Sequence, residues 1–254
     1  MILSLCVLAC SLLDDPTAPP RARVPTSDYE SLTVEGWLVR VNRRLLGNGD
    51  QAESGRRALD RLASQLAEIR QRLPEPAVAR LQKVPIWLGV DDGHAPCAEY
   101  HPSRDWLARH GYNPDKAKSI EIGNADRFLS WSPTQPAMVL HELAHAYHDQ
   151  VLGFDDPAIQ AAYDAAKASG RYDQVCHADG SSRRAYALTD PQEFFAELSE
   201  AFFLRNDFAP FTRAELHAHD PEAYALLERA WGLTVDEQND GRRLSPAGHP
   251  PSTP

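Results

Sequence analysis

The chain has 254 residues, 43% hydrophobic and 24% charged, enough apolar content for one domain with appendages to bury a real core. Its net charge of −10 and its scattered basic residues exclude the clustered cationic footprint of a nucleic-acid binder. None of its 4 cysteines has CxxC spacing, which excludes a zinc ribbon.

In chain order, residues 1–15 open with the apolar run MILSLCVLACSLL, too short for the roughly 20 residues that a membrane-spanning helix needs. It matches the apolar core of a secretory leader, although only the α-amino group supplies positive charge ahead of it. Val7-Leu8-Ala9-Cys10 resembles a lipoprotein cleavage box. The expectation is a secreted or envelope protein, with a lipidated Cys10 as its one route to a membrane. Cys6 and Cys10 belong to the leader; Cys97 and Cys176 either pair after export or remain buried free thiols. Residues 16–28 form a Pro-rich linker, and the folded domain is expected over 29–235.

Within that domain Val34–Val41 reads as a strand, with Trp37, Val39 and Val41 alternating. Residues 52–73 form an amphipathic helix that turns Leu59, Leu62, Leu66, Ile69 and Leu73 inward. A second strand follows at 85–90. His94, His101 and His110 fall in a loop-rich stretch whose irregular spacing gives no second metal motif; Tyr100 and His101 stand only as candidates to lie near a substrate. Ser119–Gly123 is a third strand. At a sheet edge it would accept an extended peptide as an added strand; in the interior it would be ordinary core, and both positions remain open.

Apolar density marks a buried helix over 135–152, opened by Pro133 and Pro136 and closed by Gly153. An Ala-rich helix follows at 157–169, then a hairpin over 175–187 around Asp179-Gly180 that would carry Tyr186 toward the site. The stretch 185–203 holds a second buried helix, 212–219 and 221–231 read as two more, and the polar tail 236–254 as disordered. Strands with helices between them predict an α+β fold: a small mixed sheet packed on the 135–152 helix, with a helical C-terminal half.

That helix carries HELAH at residues 141–145. Histidines at i and i+4 rise from one helical face and can close on one zinc ion at about 2.0–2.1 Å each. Glu142, rotated by about 100° from that face, suits hydrogen bonding to a water in an open coordination position rather than ligation. Chance gives such a motif about 0.02 times in a chain of this composition. His148 shares the face but lies about 10 Å along the axis from His141, too far to join both histidines on a tetrahedral ion.

A catalytic zinc site usually has three protein ligands plus water. In the 185–203 segment acidic residues fall at 193, 197 and 200 among apolar neighbours. A nearly buried carboxylate needs a cation or a hydrogen-bond donor. For Glu193 two readings are open: a ligand, or part of an N-terminal cap with Asp190 and Pro191.

Residues 141–145 and 186–197 together resemble the catalytic domain of anthrax lethal factor and its relatives, a group of glutamate-ligated zinc peptidases. Tyr186 is followed seven residues later by the run Glu193-Phe194-Phe195-Ala196-Glu197, as in that family. The resemblance implies a zincin-like metallopeptidase domain acting on a peptide or protein. It implies His141, His145 and Glu193 as Zn2+ ligands, Glu142 as general base, Tyr186 as donor to the developing oxyanion, and Glu197 as the carboxylate holding a ligating imidazole by its other nitrogen. Two other readings stand beside it: a zinc hydrolase of a non-peptide amide, and a non-catalytic envelope binding protein stabilised by zinc.

Overall fold

The computed structural model describes residues 23–91 and 98–233. The leader, most of the linker, the tail, His94 and Cys97 lie outside that range. The first strand, β1 (Tyr29–Val34), pairs antiparallel with β2 (Trp37–Asn42). Sequence periodicity merges Val34–Val41 into one strand, but Glu35 and Gly36 take positive φ of 50° and 93° and reverse the chain between two strands. That is the backbone of a two-residue hairpin turn, here without the Asn-Gly or Asp-Gly pair that usually announces one.

From β2 the chain crosses over through α1 (Ala52–Arg72) and α2 (Glu75–Leu81) to β3 (Ile86–Leu88), which lies parallel to β2. Leu62, Leu66, Ile69 and Leu73 are buried as the apolar spacing requires, and Leu59 packs at the margin of the core. The next strands are β4 (Ala98–Tyr100) and, after α3 (Arg104–Arg109), β5 (Ile120–Ile122). The sheet order is β1-β2-β3-β5-β4. Strand β5 is parallel to β3 and antiparallel to β4, so residues 119–123 hold an interior strand and β4 forms the edge. All three residues of β5 are buried, as expected of a strand covered on both faces.

Helix α4 (Ala125–Trp131) leads to α5 (Met138–Tyr147), every residue of which is buried. The expected continuous helix ends early: His148–Leu152 form a π turn, closed by Gly153 at φ 92°. Helix α6 (Pro157–Ser169) and the hairpin β6 (Val175–Cys176) and β7 (Ser182–Arg183) follow at the expected places. Cys176 is a free and exposed thiol rather than a buried or paired one. Within the segment 185–203 a 3-10 turn, Tyr186–Leu188, precedes α7 (Pro191–Phe203), which begins where Asp190 caps it. Helices α8 (Arg213–His219) and α9 (Pro221–Ala230) complete the domain.

Trp231, after α9, holds this half together. Its ring stacks on Tyr147 of α5 at 4.2 Å and on Phe195 of α7 at 5.6 Å, and its Nε1 donates to Ser199 Oγ at 3.0 Å. The indole thus fixes α5 against α7, the pair that carries the candidate site. Among the described residues no helix is long and apolar enough to cross a membrane.

Candidate metal centre

Helix α5 supplies His141 and His145 one turn apart, and α7, packed against it, supplies Glu193 from its first turn. The Nε2 atoms of the two histidines are 3.1 Å apart, and Glu193 Oε2 lies 3.1 Å from His141 Nε2 and 3.4 Å from His145 Nε2. Two ligand atoms bound to one tetrahedral ion at about 2.05 Å each stand about 3.3 Å apart. The triangle therefore has the dimensions of three corners of such a site. All three residues are buried, and among the described residues the group is one of three His/Glu sets whose atoms are close enough to hold a metal ion.

The capping and ligand readings of Glu193 turn out to use different atoms. Asp190 Oδ1 accepts the main-chain N–H groups of Gln192 and Glu193 at 2.9 Å each, while the Glu193 side chain reaches the imidazoles. Burial pushes the Glu193 pKa upward, but the charges of His145 and His141 and their hydrogen bonds outweigh it and hold the carboxyl well below its usual range.

Glu197 does not make the contact expected of it. His141 Nδ1 bonds to Glu200 Oε1 at 2.6 Å, whereas Glu197 Oε1 lies 3.8 Å away. A proton on Nδ1 shared with Glu200 leaves the Nε2 lone pair facing Glu193 and His145, the tautomer that ligation requires. Glu197 is fully enclosed and its Oε2 has no hydrogen-bond partner among the described residues. Burial, then the charges of Glu200 and Asp207, push its pKa well up, so the neutral acid is favoured. Glu200 is raised to about 7, by burial against the opposing pull of His141.

Glu142 stands outside the ligand group, as its angular offset requires. Its Oε2 accepts the main-chain N–H of Tyr100, on edge strand β4, at 2.8 Å. Tyr186 sits half-buried on the 3-10 turn between the β6–β7 hairpin and α7, packed against the core, and that turn lies against α7. His148 joins none of the three sets. Neither of its ring nitrogens has a hydrogen-bond partner among the described residues; Phe154 and Phe195 face the ring, and burial, then His145, lowers its pKa to about 4.

Sequence periodicity gave no sign of a second buried cluster. Glu99 and His101 share a face of the edge segment, and the antiparallel register sets Glu121 directly opposite Glu99. His101 Nε2 is 2.8 Å from Glu121 Oε2 and 3.8 Å from Glu99 Oε1, and the fully buried Lys116 ammonium bonds Glu121 Oε1. His110 lies exposed, stacked on Trp106 at 4.1 Å. Comparison of the chain with protein-family models, with curated proteins and with solved structures returned no match.

Proposed function

We propose that this protein is a zinc-dependent metallopeptidase with a zincin-like domain, hydrolysing peptide bonds. The observation that carries the reading is the convergence of His141 Nε2, His145 Nε2 and Glu193 Oε2 at 3.1–3.4 Å from one another, from two segments some fifty residues apart. Two imidazoles and one carboxylate are a donor set suited to Zn2+, and three protein ligands leave room for solvent. The same set is implied by the resemblance to glutamate-ligated zinc peptidases. A purely structural zinc site usually takes four protein ligands, most often including cysteine; among the described residues the group here has three and no cysteine.

Zinc, when bound, supplies Lewis acidity and lowers the pKa of a coordinated water toward about 7. The chain's own residues do the rest. Glu142 accepts the proton of the attacking water and returns it to the leaving amine. Tyr186 donates its phenolic hydrogen to the oxygen on which negative charge develops. Glu200 holds His141 by Nδ1, which keeps that ring in register and in the tautomer that binds metal. Outside the domain, the apolar N-terminal run and Cys10 support action outside the cytoplasm, on peptides met after export.

Metal analysis of purified protein, followed by cleavage of a diverse peptide library with and without a chelator, tests the reading. Glu142→Gln is expected to keep its zinc and to lose roughly 10²–10⁴-fold in turnover, the usual worth of a general base. Parent-like cleavage by that variant contradicts the assignment of the base. Bound zinc without peptide cleavage supports hydrolysis of a non-peptide amide or a binding role instead.

A further inference from the structure

We infer that Tyr100 is a positioning residue for Glu142: it straps the sheet edge to the helix that carries the base. The inference rests on the metallopeptidase reading and adds to it a residue outside both sequence motifs. A glutamate carboxylate turns through a broad, nearly two-fold torsion, so a lone base in a cleft has no fixed aim. Here Oε2 is occupied by the Tyr100 N–H at 2.8 Å, which sets the rotation of the group and the direction of Oε1. The base is aimed by main chain, and that main chain belongs to a three-residue edge strand, β4.

Short edge strands fray unless tied down. Tyr100 is tied at its other end to the same helix run. Its buried hydroxyl donates to Asp149 Oδ2 at 2.6 Å and accepts from Gln150 Nε2 at 3.0 Å. Consecutive residues of a regular helix point about 100° apart, and the π turn at 148–152 is the stretch in which both side chains nonetheless reach one phenol. Lys118 Nζ lies 2.5 Å from Asp149, Lys118 N donates to His101 O at 2.6 Å, and Gln150 Nε2 reaches Lys118 O at 3.4 Å. The neighbouring turn is thereby joined to the same clasp. Tyr100 spans from residue 142 to residue 149, two helical turns or about 10.5 Å of axis, as a bar laid along the helix.

The test uses the zinc-loaded full chain, a quenched fluorescent peptide drawn from a randomised library, and the variants Tyr100→Phe and Asp149→Asn. Each is expected to lower kcat by about tenfold or more while KM and zinc affinity, read by competition with a chromogenic chelator, stay within about twofold. Exchange of the residue-100 amide should quicken by about tenfold in both variants and in Glu142→Ala. Parent-like kcat, unchanged amide exchange, or a loss of zinc affinity in Tyr100→Phe overturns the strap. Failure of the peptidase reading shows separately, as absent turnover in the parent, and the exchange rates then still accept or reject the tie between Tyr100 and Glu142.

Discussion

Two buried clusters in this domain use the same residue types and come to different ends. Around Glu193 the neighbouring groups are the imidazoles of His141 and His145, whose Nε2 atoms lie 3.1 Å from each other and 3.1 and 3.4 Å from the carboxylate. Around Glu99, His101 and Glu121 the chain supplies its own cation, the Lys116 ammonium bonded to Glu121. A metal-ready site is therefore distinguished less by its list of acids and histidines than by what neutralises them. In the first cluster three donor atoms stand at spacings that would suit a divalent ion; in the second, the Lys116 ammonium already neutralises Glu121.

Variants that strip each cluster of its cation or its support sharpen the contrast. The largest effect is expected from Lys116→Met: removing one partner of a buried ion pair should cost about 3–5 kcal/mol of stability, read by urea unfolding, without changing zinc stoichiometry. An unaltered unfolding midpoint would show that the second cluster does not depend on its lysine. Next, Glu200→Gln should weaken zinc binding by about 10–100-fold in chelator competition, the usual worth of a carboxylate behind a ligating histidine. Glu197→Gln should leave it within about threefold, since that carboxyl is the more distant one and is favoured in its neutral form. The reverse ranking would restore Glu197 to the role suggested by its spacing.

The smallest effect is on the pH dependence of melting in the Lys116 cluster. Burial raises the Glu121 pKa, but His101 and Lys116 bring it down to about 2, below its ordinary 4.5. Its contribution to stability is thus present above about pH 4.5 and is lost as the pH falls toward 2. His101 shifts the other way, raised by Glu99 and Glu121 against burial, so its contribution is present below pH 6.5 and is lost as the pH rises through its folded value. With zinc saturating, Tm should fall by about a few degrees on either side of that window, and His101→Gln should remove the alkaline limb. An unchanged alkaline limb in His101→Gln would separate His101 from the effect.

Much of the site was legible in the sequence because its chemistry is local. HELAH sets two imidazoles on one helical face and offsets Glu142 from them through helix geometry alone, and Gly153 marks the end of that run. Asp190-Pro191 likewise marks the start of α7. What escaped the sequence depends on the pairing of distant segments. Strand β1 hides behind a turn without Asn-Gly, and β4 is too short to show a period. Assigning the edge to β4 rather than to residues 119–123 needs the sheet order, which no local pattern encodes. The exchange of Glu197 for Glu200 follows from how α7 crosses α5. At about 100° per residue, position 200 returns to within roughly 20° of Glu193, while position 197 lies about 40° off, a signal present in the spacing but not decisive without the partner helix.

The account stands on Glu193 as the third ligand, and the zinc content of the Glu193→Gln chain beside that of the parent, after desalting from the same zinc solution, tests it most directly. The parent should carry about one zinc per chain and the variant almost none, while circular dichroism of the two remains alike. A folded Glu193→Gln chain that retains the parent's zinc would contradict the account.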